Sequence, residues 1–120
     1  MPHPFVSTYT PEAIDRPGVD ALPGVTVLEF GTNWCPICQG AQGLVRAVLH
    51  DHPAARHVKV EDGPGRRLGR SFRIKLWPTL IVLRDGAEVG RVVRPDDDED
   101  LRALLARAET TMTGEPGEGA

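Results

Sequence analysis

The chain has 120 residues, a net charge of −3, and ordinary proportions of hydrophobic (40%) and charged (26%) residues. This length suits one domain with a sizeable core and is too short for two. The acidic balance argues against nucleic acid as a general partner, and no apolar run approaches the roughly 20 residues that span a membrane. We therefore expect one soluble globular domain.

The N-terminus and the cysteine content bear on location. Residues 1–5 lack the basic region and apolar core of a secretory signal, although a chain from which a signal had been removed would look the same. The chain has two cysteines, separated by two residues, which suits a catalytic pair in a reducing compartment. We expect a cytoplasmic protein.

Two short elements precede the first long apolar run. Residues 5–9 predict a short edge strand, and the Thr-Pro-Glu sequence at 10–12 is typical of a helix start. The Pro-Gly pair at 17–18 would end that helix early. Residues 25–30 then predict a strand that is apolar on both faces apart from Glu29, which favours a buried central position.

Both cysteines follow this strand, in the sequence Trp-Cys-Pro-Ile-Cys at 34–38. Apolar residues then recur every three or four positions, which predicts a helix as far as residue 50. Cys35 would cap this helix, Pro36 would take its first position, and the helix dipole would favour a thiolate at Cys35. Cys38, one turn further in, is close enough to form a disulfide with Cys35. The stretch therefore predicts dithiol–disulfide exchange.

Two other roles for the cysteine pair stay open. A structural disulfide at this spacing would close too small a loop to stabilise a fold by much. The pair would also suit one arm of a zinc site, but the chain has no other cysteine, and His50, His52 and His57 lack a matching ligand pattern. We favour redox chemistry and expect no metal.

The second half of the chain predicts three further strands. Residues 57–61 alternate around two valines, and an apolar strand at 79–83 follows the Trp-Pro pair at 77–78. An Asp-Gly turn then connects this strand to a returning strand at 87–93. We expect these last two strands to form a hairpin.

An amphipathic helix is predicted between the second and third strands. Leu68 and Phe72 would lie on its apolar side, and a basic stripe of Arg66, Arg70 and Arg73 on the other. The stripe would either steer an acidic partner toward the cysteines or form an ordinary solvated helix face.

A last helix is predicted to open in the acidic run at 96–100. Asp96 would cap it, and Glu99 would complete a capping box. Its apolar stripe would comprise Leu101, Leu104, Leu105 and Ala108. Residues 112–120 are small, polar and rich in glycine, and we expect a disordered tail after a single domain at 1–111.

With these elements in order, the sequence resembles the thioredoxin family over roughly residues 22–110. The motifs are Leu-Glu-Phe at 28–30, the cysteine stretch at 34–38, and Trp-Pro-Thr at 77–79 before a strand that ends at the Asp-Gly turn of 85–86. A lone Cys-x-x-Cys is a weak signal, but a downstream Pro-Thr before a β-hairpin makes it strong. The resemblance implies an α/β thioredoxin fold, with a central mixed β-sheet flanked by helices and the cysteine pair at its edge.

The resemblance also implies a thiol–disulfide oxidoreductase that reduces protein disulfides. Cys35 would attack the target disulfide, and Cys38 would then attack Cys35 and release the reduced target. A thioredoxin reductase or another dithiol donor would restore the pair, and we expect a monomer without cofactor, nucleic acid or membrane. The Pro-Ile dipeptide between the cysteines departs from the Gly-Pro of ordinary thioredoxins. An oxidant, an isomerase or an interaction module with little turnover therefore stays open.

The same resemblance assigns the substrate-binding residues. Pro78 would be a cis proline that presents the backbone of Trp77 to a substrate chain, which adds to it as a strand. Trp77 and Trp34 would cover the sulfurs, although Trp77 would alternatively fill core against Phe72. The full set expected to bind substrate is Trp34, Pro36, Ile37, Trp77, Pro78 and Thr79.

Two charged residues complete the expected catalytic site. Glu29 stands where the family usually has an aspartate, and burial would raise its pKa and let it shuttle the Cys38 proton through water. Lys59 matches the family's buried lysine and would be the charge partner of Glu29. The open alternative is that both side chains point to solvent at strand ends.

Overall fold

A four-stranded mixed sheet forms the centre of the fold. The computed structural model describes residues 3–11 and 14–113, and of residues 111–113 the backbone alone. The elements are α1 (Arg16–Asp20), β1 (Val25–Gly31), α2 (Pro36–His50), β2 (Arg56–Glu61), α3 (Arg67–Ser71), β3 (Thr79–Arg84), β4 (Ala87–Val93) and α4 (Glu99–Thr113). The strand order is β2-β1-β3-β4, with β1 parallel to β2 and antiparallel to β3. This confirms the expected mixed sheet flanked by helices.

Strand β1 is buried along all seven residues because both of its faces are covered. Its side chains alternate between the faces. Val25 and Val27 join the core beneath α2 and α4, whereas Leu28 and Phe30 join the core beneath α1 and α3. The same alternation puts Glu29 on the α2 face, where Gln42 of α2 donates a hydrogen bond to it.

Most elements begin and end where the sequence predicted. Helix α2 starts after Cys35, and the apolar stripe of α4 is buried. The capping residue of α4 was predicted wrongly, since Asp97 and not Asp96 accepts the hydrogen bond from the backbone N–H of Glu99, at 3.0 Å. Helix α4 runs to Thr113, and residues 114–120 of the predicted tail lie outside the described residues.

The N-terminal segment differs from its prediction. Residues 5–9 form no strand, and Thr10 makes an isolated parallel bridge to Val60. The first helix begins at Arg16 and not at 10–12, of which residue 12 lies outside the described part. Asp15 caps it, so the Pro-Gly pair at 17–18 lies in its first turn, where proline is tolerated.

The predicted basic stripe is also wrong. Helix α3 has five residues, Arg66 only caps it, and Arg73 lies beyond it in a left-handed conformation with φ 58°. Arg66 is paired with Glu61 at 3.4 Å. Within the described residues, no helix is long and apolar enough to cross a membrane.

Candidate active site

The two cysteines flank the first turn of α2. Cys35 caps the helix, and its sulfur accepts a hydrogen bond from the backbone N–H of Cys38 at 3.2 Å. Pro36 follows in the first turn, where a missing N–H leaves no helical bond unmade. Both thiols are free. Cys38 is fully buried and Cys35 is 7% exposed, so Cys35 is the more accessible sulfur.

Two tryptophans meet beside the cysteines. Trp34 is 70% exposed, and its ring contacts the Trp77 ring edge-on, with centroids 5.9 Å apart. Trp77 is partly buried, packs against the cysteine cluster and donates its indole N–H to Asp62 Oδ2 at 2.9 Å. Phe72 belongs instead to the core on the α1–α3 face. The alternative in which Trp77 fills core against Phe72 is therefore wrong.

Exposed apolar side chains surround Cys35. Ile37 is 45% exposed, and Pro36 is exposed as well. We call Trp34, Pro36, Ile37 and Trp77 the apolar rim. Four of the six residues expected to bind substrate thus share one surface.

The segment after Trp77 is engaged by an arginine. The Trp77–Pro78 peptide bond is cis, as the resemblance implies. The Trp77 carbonyl accepts a hydrogen bond from Arg94 Nε at 2.9 Å, and the Pro78 carbonyl accepts one from the Arg94 backbone N–H at 2.9 Å. Pro78 and Thr79 are buried, and the Thr79 hydroxyl donates to the Leu76 carbonyl at 2.7 Å. An exposed arginine thus binds the carbonyl of Trp77, the residue whose backbone the resemblance assigns to substrate.

Glu29 is fully buried beneath α2. Its Oε2 accepts hydrogen bonds from the Tyr9 hydroxyl and from Gln42 Nε2 at 3.0 Å, and its Oε1 accepts one from His57 Nε2 at 2.9 Å. Burial alone would raise the pKa of Glu29, but the hydrogen bonds from these three side chains, His57 foremost, outweigh burial and lower it. The expectation of a raised pKa is wrong because it counted burial without these donors.

Lys59 lies buried next to Glu29 in the β1–β2 register. Its ammonium group donates to Gln42 Oε1 at 2.5 Å and to a backbone carbonyl at 2.9 Å, and it lies 4.5 Å from the centre of the Tyr9 ring. Burial lowers the pKa of Lys59, while the negative charges of Glu29 and Cys38 oppose that shift. Lys59 is thus a charge partner of Glu29, as expected, and the Gln42 amide links the two side chains. The alternative in which both side chains face solvent is also wrong.

Burial sets the protonation of the inner cysteine. Burial first, and the hydrogen bond with Cys35 second, raise the pKa of Cys38 to about 11. At pH 7 only about one Cys38 in ten thousand would then be a thiolate. A reaction in which Cys38 is the nucleophile therefore needs a group that takes its proton.

Tyr9, Gln42 and His57 were not predicted as site residues. Gln42 lies one turn after Cys38 on the same face of α2. His57 lies two residues before Lys59 on β2, so strand alternation could have placed both side chains on the Glu29 face. For Tyr9 the sequence holds no comparable signal, since twenty residues separate it from Glu29.

The site thus offers a partly exposed thiol, a fully buried thiol and a buried carboxylate, Glu29, that is held by Tyr9 and Gln42. Such a pair suits exchange through a mixed disulfide, in which the accessible sulfur attacks first. In the part of the chain that the structure describes, no group of three or more His, Cys, Asp or Glu side chains is placed to hold a metal ion.

The chain is similar to thioredoxins in sequence and in structure. A family model described as Thioredoxin matches residues 18–107. Thioredoxin H2-1 from Oryza sativa subsp. japonica is 28% identical over 92 residues, which make up 74% of this chain and 67% of that protein. A thioredoxin from Chlamydia trachomatis serovar D is 27% identical over 84 residues, or 70% of this chain and 82% of that protein. The solved structure of thioredoxin 2 from Pseudomonas aeruginosa in its reduced form matches with a TM-score of 0.75 and 51% identity, covering 86% of this chain and 99% of that one.

Proposed function

The chain belongs to the thioredoxin family and is a thiol–disulfide oxidoreductase, and from this we propose that it reduces disulfides of protein substrates through Cys35 and Cys38. One observation carries the proposal. Cys35, the more exposed cysteine at 7%, caps α2, and its sulfur accepts a hydrogen bond from the backbone N–H of the fully buried Cys38 at 3.2 Å.

The reduction takes two steps. The Cys35 thiolate attacks one sulfur of the substrate disulfide, and the other substrate sulfur leaves as a thiolate. Cys38 then attacks the Cys35 sulfur, which forms the Cys35–Cys38 disulfide and releases the second substrate sulfur. Because the pKa of Cys38 is about 11, this second step needs a proton acceptor.

We assign the removal of the Cys38 proton to Glu29 and Lys59. Glu29 is the buried carboxylate whose partner Gln42 also donates a hydrogen bond to the Cys38 carbonyl. Its lowered pKa keeps it ionised at neutral pH, and it accepts the Cys38 proton during the attack. The positive charge of Lys59 is felt at Cys38 and stabilises the thiolate that develops there.

The apolar rim is the docking surface for the substrate. Trp34, Ile37 and Trp77 contact apolar residues beside the substrate cysteine, with Pro36 between them. The substrate backbone pairs with the backbone of Trp77 as an added strand. Pro78 and Thr79, both buried, shape this segment from below, and Arg94 must release the Trp77 carbonyl before the strand can form.

A dithiol donor, such as a thioredoxin reductase, returns the oxidised pair to the thiol form. We place the protein in the cytoplasm, because a cysteine pair that must be re-reduced after each turnover suits a reducing compartment.

The experiment is insulin reduction coupled to a thioredoxin reductase and NADPH, with trapping as its second arm. Steady turnover supports the proposal, and Cys38→Ser should accumulate substrate as mixed disulfides on Cys35. Cys35→Ser is the matched control and should trap none. An unreactive wild-type protein would favour an interaction module instead. A reduction potential near about −120 mV, rather than near about −270 mV, would indicate an oxidant.

A further inference from the structure

We propose that the Tyr9 hydroxyl relays the Cys38 proton to Glu29 in the second step of the exchange. The proposal rests on the proposed function and assigns the path that the proton takes. A protein hydroxyl thus replaces the water through which Glu29 was expected to act.

The position of Tyr9 is fixed beside the cysteines. Its backbone N–H donates to Asn33 Oδ1 at 2.8 Å, and its carbonyl accepts from Asn33 Nδ2 at 3.0 Å. Asn33 lies in the turn between β1 and Cys35, so these two bonds tie Tyr9 to the loop that carries the nucleophile. The Tyr9 side chain is 4% exposed and packs in one cluster with Cys35 and Cys38.

Gly31 makes the approach of Tyr9 to Cys38 possible. Gly31 follows Glu29 on the same face of β1, and a methyl group there would lie 2.7 Å from both Cys38 Sγ and the Tyr9 hydroxyl oxygen. The sulfur and the hydroxyl thus share the space that a side chain would otherwise fill. On its other side the same hydroxyl donates to Glu29 Oε2.

The other two donors to Glu29 are committed elsewhere. The Gln42 amide nitrogen also donates to the Cys38 carbonyl at 2.8 Å, and its oxygen accepts from Lys59. His57 Nδ1 accepts from the Val6 backbone N–H at 2.9 Å, so the ring proton lies on Nε2 and points at Glu29. Tyr9 is the donor with a hydroxyl, which can accept one proton while it gives up another.

The proton balance of the step is complete. Cys38 Sγ attacks Cys35 Sγ, the bond from Cys35 to the substrate sulfur breaks, and the substrate leaves as a thiolate with the electron pair. The Cys38 proton moves to the Tyr9 oxygen, while the phenolic proton of Tyr9 moves to Glu29 Oε2. One carboxylate is consumed and one thiolate is released. Burial and the adjacent Glu29 charge raise the pKa of Tyr9, so the phenol passes a proton without becoming a stable phenolate.

Tyr9→Phe tests the relay, because it removes the oxygen and keeps the ring. A chromogenic aromatic disulfide added to the reduced protein releases one coloured thiol when Cys35 attacks and a second when Cys38 resolves the mixed disulfide, so stopped-flow absorbance separates the two steps. We expect an unchanged first phase and a second phase slowed about 10- to 100-fold. In Tyr9→Phe the rate of the second phase should rise with pH until Cys38 ionises, whereas the wild-type rate should depend less on pH.

Thr26→Val is the matched control. It removes a buried hydroxyl from the opposite face of β1, where the oxygen has no hydrogen-bond partner among the described residues, and both phases should stay at the wild-type rate. An unchanged second phase in Tyr9→Phe overturns the relay. A slowed phase with the wild-type pH profile also overturns it, since that result means packing alone. If the wild-type protein shows no first phase, the proposed function is refuted instead.

A measurement on the wild-type protein covers the case in which Tyr9→Phe does not fold. The second-phase rate is recorded in mixtures of light and heavy water. Two protons in flight predict a curved dependence on the deuterium fraction, and a linear dependence would contradict the relay.

Discussion

Replacement of Trp77 by alanine distinguishes a substrate-binding role of its indole from a role in core packing. The indole N–H bond to Asp62 contributes about 0.5–1.5 kcal/mol to the free energy of unfolding. The edge-on contact with Trp34 adds about 0.5 kcal/mol, the lower end for such pairs, because Trp34 is 70% exposed. Trp77→Ala should therefore lower the free energy of unfolding by about 1–2 kcal/mol. A fully buried tryptophan would cost about 3–5 kcal/mol.

The same variant should change which substrates react. Without the indole, the cysteine cluster loses part of its cover, so small disulfides should react faster. Peptide disulfides should react more slowly, because the apolar rim loses one of its two rings. Urea denaturation measures the first quantity, and the ratio of the kcat/KM values for a small and a peptide disulfide measures the second.

Trp77→Phe is the control for the indole N–H. It loses the bond to Asp62 but keeps a ring over the cysteines, so stability should fall by about 1 kcal/mol while the substrate ratio stays near the wild-type value. A loss of 4 kcal/mol or more in Trp77→Ala, together with an unchanged substrate ratio, would refute the reasoning, since it would identify a core residue.

Three further predictions follow from single contacts. Gly43→Ala should stabilise the protein by about 0.5–1 kcal/mol in urea denaturation, because a methyl group there meets nothing within 4 Å. Gly69→Ala should destabilise it, because a methyl group there would lie 2.0 Å from an aspartate oxygen. The pKa of Glu29 lies below its ordinary 4.5 in the folded chain, so the stability that Glu29 contributes is complete above pH 4.5 and is lost as the pH falls through the folded pKa. In Glu29→Gln the free energy of unfolding should therefore fall less steeply at acid pH than in the wild type. Equal slopes of stability against pH in the two proteins would contradict the assignment. Arg94→Ala should lower the KM for peptide disulfides by freeing the Trp77 carbonyl, and a higher KM would mean that Arg94 itself holds the substrate.

The fold could be predicted from the sequence because its signals are local. Alternation along the strands, the Pro-led start of α2 and the Asp-Gly turn each depend on a few neighbouring residues. The strand prediction failed in the N-terminal segment, where tertiary contacts override the local pattern. Residues 5–9 look like a strand, yet their segment is held by Asn33 and by the edge of β2.

The active site was predicted in part for the same reason. The two-residue spacing of Cys35 and Cys38 was enough to predict their arrangement at the start of α2. The structure confirms that arrangement. The direction of the Glu29 pKa shift was missed, because it is set by donors from three segments far apart in the chain. Local patterns could place Gln42 and His57 near Glu29, but no local pattern places Tyr9 there.

The two rings of the apolar rim differ in how much freedom they lose on binding. The Trp77 indole is already anchored to Asp62, so a substrate meets it without ordering it first. Trp34 projects into solvent and must be immobilised, at about 0.5–1.5 kcal/mol of conformational entropy. The site thus has one fixed wall and one adjustable wall. If substrates dock on the rim as proposed, we expect the reacting disulfide to keep a constant position while the rim adapts to different neighbouring side chains.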